Sequence, residues 1–175
     1  MYKLMMAVSV LALVTACSEQ PQPEQKAAPA VQEATDSLSM YKTQAEALLA
    51  NIRVEKEDKA LEAQSAELVN LSRTLLNEFV AKYPQCQTYL DALDKAADII
   101  PTLPLEEIES GYHADGKLPK FDDPVCYHAK DLLVHPATVQ AIAMNGFKGP
   151  EDYKSAEMEI VEVIAHFDQV ERALK

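Results

Sequence analysis

The chain has 175 residues, 48% of them hydrophobic and 25% charged, which is enough for one globular domain with a core of its own. Its formal net charge is −12, from 28 acidic and 16 basic residues. That balance, with no Lys/Arg cluster, excludes nucleic acid as a partner and a broad electrostatic hold on anionic lipid.

The N-terminus reads MYKLMMAVSVLALVTAC. One basic residue, Lys3, precedes an apolar run from Leu4 to Val14. A bilayer span needs ~20 apolar residues, so this run fits the hydrophobic region of a secretory signal. It ends Val14-Thr15-Ala16-Cys17, which resembles the lipobox of bacterial lipoproteins: an aliphatic residue, two small ones, then cysteine. The resemblance covers the signal alone. It implies that residues 1–16 are removed and that the Cys17 thiol carries a diacylglycerol. With Ser18 rather than Asp next, it implies lipid anchoring in the bacterial cell envelope, at the outer membrane facing the periplasm in a Gram-negative cell.

Residues 17–36 contain three prolines and are rich in Gln, Glu and Ala. Such a segment buries too little to offset its ordering entropy, so it is expected to be a flexible tether. Residues 37–175 are then expected to form an all-α domain.

No Gly or Pro occurs from Val31 to Tyr83, and helix formers dominate. From Ser37 to Lys82 a seam of Met40, Ala47, Val54, Leu61, Leu68 and Leu75 recurs every seven residues. Tyr41, Leu48 and Ile52 lie on another side. The apolar face changes across Glu55-Lys56-Glu57-Asp58-Lys59, a run read as solvated. Two arrangements stay open: one long helix buried on two sides, or two helices meeting near Lys56.

A second helix is expected from Pro84 to about Ile100, with Tyr89, Leu90, Leu93, Ala97 and Ile100 inward and Pro101 and Pro104 ending it. A helical turn over residues 105–110 leads into an irregular insertion at about 110–124. Helices at about 124–134 and 137–144 follow, each opened by a proline. The last helix, from Pro150 to about Leu174, carries a stripe of Tyr153, Ile160, Ile164, Phe167, Val170 and Leu174. The sum is a bundle of about four main helices.

With Cys17 lipidated, Cys86 and Cys126 remain. In an exported protein such a pair is expected as a disulfide, and without a Cys-x-x-Cys motif its role is structural.

Tyr112 to His135 holds three of the four histidines with several carboxylates. If 124–135 is helical, His128, Asp131 and His135 fall at i, i+3 and i+7 on one face. The two histidines are then ~10 Å apart, too far for one ion to be held by both. A site needs one of them with Asp131, plus His113 or Asp115 folded over from the loop. Imidazole with carboxylate suits zinc, copper or iron. The plainer reading is a polar seam that packs the loop on the bundle, with His135 capping a helix at Pro136. His166, between Ile164 and Phe167, reads as a core-edge histidine rather than a ligand.

No nucleophile setting or phosphate-cradling glycine loop is present, so no catalysis is expected. Two roles follow. One is a lipid-anchored accessory module that docks on another envelope protein. The other is binding of a divalent metal, haem or another small ligand by the Tyr112–His135 region.

Overall fold

The computed structural model describes residues 29–175. The leader, Cys17 and residues 18–28 lie outside the described residues. Among those described there is no strand, and no helix is long and apolar enough to cross a membrane.

The first helix, α1 (Pro29–Arg53), begins inside the stretch read as tether. Residues 29–36 therefore belong to the helix. Pro29 supplies the fixed φ that suits a first turn, and Ala30, Gln32, Glu33 and Ala34 all favour helix.

Two helices, not one, fill the first helical region: α2 (Asp58–Lys82) follows α1 after a tight turn. The Lys56 amide donates to the Asn51 carbonyl at 3.1 Å and the Glu55 amide to that of Ile52 at 2.9 Å. These are the paired bonds of a Schellman stop, with Glu55 in the left-handed position (φ 50°) that glycine normally takes. The seven-residue seam fails in α1. Met40 is 56% and Val54 68% exposed, while Tyr41, Ala45, Leu48 and Ile52 are buried. It holds in α2, where Leu61, Leu68 and Leu75 are buried. The seam fails because the turn resets the helical phase between the two halves.

Pro84–Cys86 form a 3-10 turn that opens α3 (Gln87–Ala96). The helix ends earlier than expected, and a second 3-10 turn, Ile100–Thr102, carries the chain to the prolines. The expected inward residues Tyr89, Leu90, Leu93, Ala97 and Ile100 are all buried. A four-residue helix, α4 (Leu105–Ile108), runs into a π-helical turn over Glu109–His113, so part of the insertion is helical.

Where two helices were expected around Pro136, one continuous helix stands: α5 (Val125–Asn145). A proline inside a helix leaves the carbonyl four residues earlier without its donor. That carbonyl belongs to Leu132. It accepts from Tyr41 Oη on α1 at 2.7 Å and from Ser72 Oγ on α2. Tertiary contacts satisfy the orphaned group, so the helix has no reason to break.

After Gly146, at φ 75°, a short connection reaches α6 (Pro150–Leu174), which returns antiparallel to α5. The Cys86–Cys126 disulfide ties the start of α3 to the start of α5. The result is a helical bundle around α5, in which every residue from Ala129 to Val139 is buried.

Candidate metal centre

A helix buried on all sides should be apolar, yet α5 carries Lys130, Asp131, His135 and Thr138 in its buried stretch. Buried polar groups need partners. Lys130 has them: its Nζ donates to the His113 carbonyl at 2.7 Å and to Asp115 Oδ1 at 3.2 Å, and lies 4.3 Å from the Tyr127 ring centre. Tyr89 Oη donates to the same Asp115 oxygen at 2.7 Å. Asp115 is therefore part of a clamp that fastens the 114–124 loop to the bundle. It joins neither histidine group.

The histidines instead divide into two groups, each with two imidazoles and one carboxylate: His128, Asp131 and His166, and His113, His135 and Glu159. Within each, the atoms able to bind a metal lie within 4.8 Å of one another.

In the first group, α5 supplies His128 and Asp131 one turn apart, and antiparallel α6 brings His166 across. The rings of His128 and His166 stand edge to face, 5.5 Å between centres. His166 Nδ1 comes within 2.6 Å of Asp131 Oδ2. The approach is an ion-pair contact not directed as a hydrogen bond, and both atoms, like His128 Nδ1, are buried without a hydrogen-bond partner. Burial lowers the pKa of His128, the neighbouring His166 lowers it further, and Asp131 opposes both. The charged form of the ring is thus disfavoured.

In the second group, His135 Nδ1 makes a 2.6 Å hydrogen bond with Glu159 Oε2. The same oxygen is 3.7 Å from His113 Nε2. Thr138 Oγ1 donates to the Val134 carbonyl at 2.9 Å and so accepts from His113 Nε2, also at 2.9 Å. The π-helical turn aims His113 at α5, a placement often found at functional sites. Gly116 closes that turn: a Cβ there would lie 2.4 Å from the Ser110 carbonyl oxygen. Burial lowers the pKa of His113, with Glu159 opposing. A cleft of about 430 Å³ opens beside this group, with His113, Thr138 and Glu159 on its wall.

The structure thus brings His113 together with His135, and His128 with Asp131, and keeps His128 and His135 in separate groups, as their spacing along α5 requires. His135 caps no helix, because α5 runs on. His166 is half-buried at the edge of the core, where its Nδ1 stands against Asp131. Two residues of α6, Glu159 and Glu162, escaped the sequence reading, and they stand with His166 on one face. Their spacing, i, i+3 and i+7, repeats that of His128, Asp131 and His135, and two such faces on antiparallel neighbours must meet. Glu162 Oε2 lies 3.7 Å from His135 Nε2, and Asp131 Oδ1 lies 3.9 Å from the same nitrogen, so Asp131 stands between the groups.

No protein-family model matches the sequence, and neither a curated protein nor a solved structure does.

Proposed function

We propose that this protein binds a divalent transition-metal ion through His128, Asp131 and His166, and does so on the cell envelope, tethered by lipid on Cys17. One observation carries the first part. Three buried polar atoms, His128 Nδ1, Asp131 Oδ2 and His166 Nδ1, converge with no hydrogen-bond partner. Leaving a buried polar group without a hydrogen bond costs about 1–3 kcal/mol, and here only the undirected contact of Asp131 with His166 offsets it. An ion bound by all three removes that cost. A docking role alone leaves their convergence unexplained.

Two imidazoles and one carboxylate suit zinc, copper or iron(II). The ligand atoms gather inside 4.8 Å, the span of a single ion rather than of a haem macrocycle. Their burial between helices suits holding an ion rather than presenting it to a substrate, so the role is binding and not catalysis. The envelope address rests on the lipobox alone.

The test is equilibrium titration of the full chain, purified in detergent without a histidine tag, with Zn²⁺ and with Co²⁺. Stoichiometric binding that is lost in His128→Ala and His166→Ala supports the assignment. No binding, or binding unaffected by both substitutions, removes it.

A further inference from the structure

We propose that a second divalent ion binds at His113, His135 and Glu159, more weakly than the first, with its remaining coordination positions turned to the cleft and so open to water or a small anion. The inference shares α5 with the first site but rests on different residues, so each can fail without the other.

Glu159 Oε2 lies between the two imidazoles, 2.6 Å from His135 Nδ1 and 3.7 Å from His113 Nε2. An ion bonded to nitrogen at ~2.0–2.1 Å keeps tetrahedral ligands about 3.3 Å apart, so it fits among the three once the shorter contact opens by about 0.7 Å. His135 is 4% exposed and forms the back wall. His113 and Glu159 stand at the front, on the cleft, beside Leu105, Thr138 and Ile142. Three protein ligands with an open side are the arrangement metals use to take an exogenous ligand.

The ranking of the two sites follows from what each must give up. At the first, one undirected contact gives way, that of His166 Nδ1 with Asp131 Oδ2, and His128 Nδ1 gives up no hydrogen bond. The second holds protons. The His135 proton must move from Nδ1 to Nε2, which faces the carboxylates of Asp131 at 3.9 Å and Glu162 at 3.7 Å. The His113 proton must move from Nε2 to Nδ1, and its bond to Thr138 is lost. No net proton leaves, but two hydrogen bonds do. The second ion therefore binds after the first and leaves before it.

The experiment loads the full chain with Zn²⁺ and follows release to a chromogenic chelator. The wild type should release two ions per chain in two phases, one for each group. His113→Ala and Glu159→Gln should each abolish the fast phase and keep the slow one. His128→Ala should do the reverse. Both substitutions at the cleft are on partly exposed residues, and thermal melting checks that the variants fold. One ion per chain, lost in His128→Ala and kept in His113→Ala, overturns the second site and leaves the first. A fast phase that survives both cleft variants also overturns it. Failure to load any ion overturns both.

Discussion

Asp131→Asn separates a metal ligand from a structural carboxylate. The side chain is 2% exposed, with Oδ1 3.9 Å from Lys130 Nζ and Oδ2 without a hydrogen-bond partner. At an effective dielectric of about 20, attraction to Lys130 over that distance is worth about 4 kcal/mol. Desolvating the carboxylate costs several kcal/mol. The two oppose each other, and Lys130 keeps its bonds to the His113 carbonyl and Asp115 when the charge is gone, but His166 loses an ion partner 2.6 Å away. In metal-free protein the substitution should therefore destabilise by about 1–3 kcal/mol. With metal at a hundredfold excess over Kd, the wild type gains about 2.7 kcal/mol. For a domain of this size that raises Tm by about 5–11 °C. Asp131→Asn should lose most of that rise. The assay is thermal melting of both proteins with chelator and with Zn²⁺. An equal drop in Tm with and without metal would show that Asp131 serves only to balance Lys130 and His166.

Four other outcomes follow from the same structure. Glu55 holds the left-handed position ending α1, which costs an L-residue about 1–2 kcal/mol. Glu55→Gly relieves that at an entropic cost of roughly 0.5–1 kcal/mol, so chemical denaturation should show a net gain of about 0.5–1 kcal/mol, and a loss would deny the strain. Removing the Cys86–Cys126 disulfide, which closes a separation of 40 residues, should destabilise the fold by about 4 kcal/mol. An unchanged denaturation midpoint in the double serine variant would contradict its role as a staple. Gly116→Ala forces a Cβ against the Ser110 carbonyl and should shift the π-helical turn, weakening the His113 site while sparing the His128 site. Equal loss at both sites would mean general unfolding instead.

The last concerns pH. His113 and His128 are held below the ordinary imidazole range of about 6.5, chiefly by burial. On unfolding they return to it, so below that pH the unfolded chain binds more protons than the folded one. Their contribution is complete above about pH 6.5 and is lost as pH falls through the lower folded values. Metal-free protein should melt earlier at about pH 5 than at about pH 7, and the His113→Ala/His128→Ala pair should flatten that slope. An unchanged slope in the double variant would place the effect elsewhere.

Much of the fold is legible in the sequence where one helix face is plainly apolar. The stripe on α6, the inward face of α3 and the leucines of α2 follow from periodicity alone. The cysteine pair follows from parity once Cys17 is read as lipidated. What escaped depends on contacts between distant segments. Pro136 reads as a break because its cost is local, whereas the remedy comes from Tyr41 and Ser72 on other helices. The stop after α1 is hidden because Glu55 stands where a glycine would have marked it. Asp115 reads as a ligand because a carboxylate beside histidines carries no sign that a buried lysine will claim it. The centre itself was half visible: α5 shows its three polar residues at helical spacing. The matching set on α6 lay among acidic residues of the kind that usually face water, and only the antiparallel pairing of the two helices gives it meaning.

The most direct measurement is nitrogen-15 NMR of the four imidazoles during titration with Zn²⁺. Metal binding at the first group requires Nδ1 of His128 and His166 to shift together at the first equivalent, with His113 and His135 following only beyond it. Saturation that leaves the Nδ1 resonances of His128 and His166 unmoved would contradict the assignment.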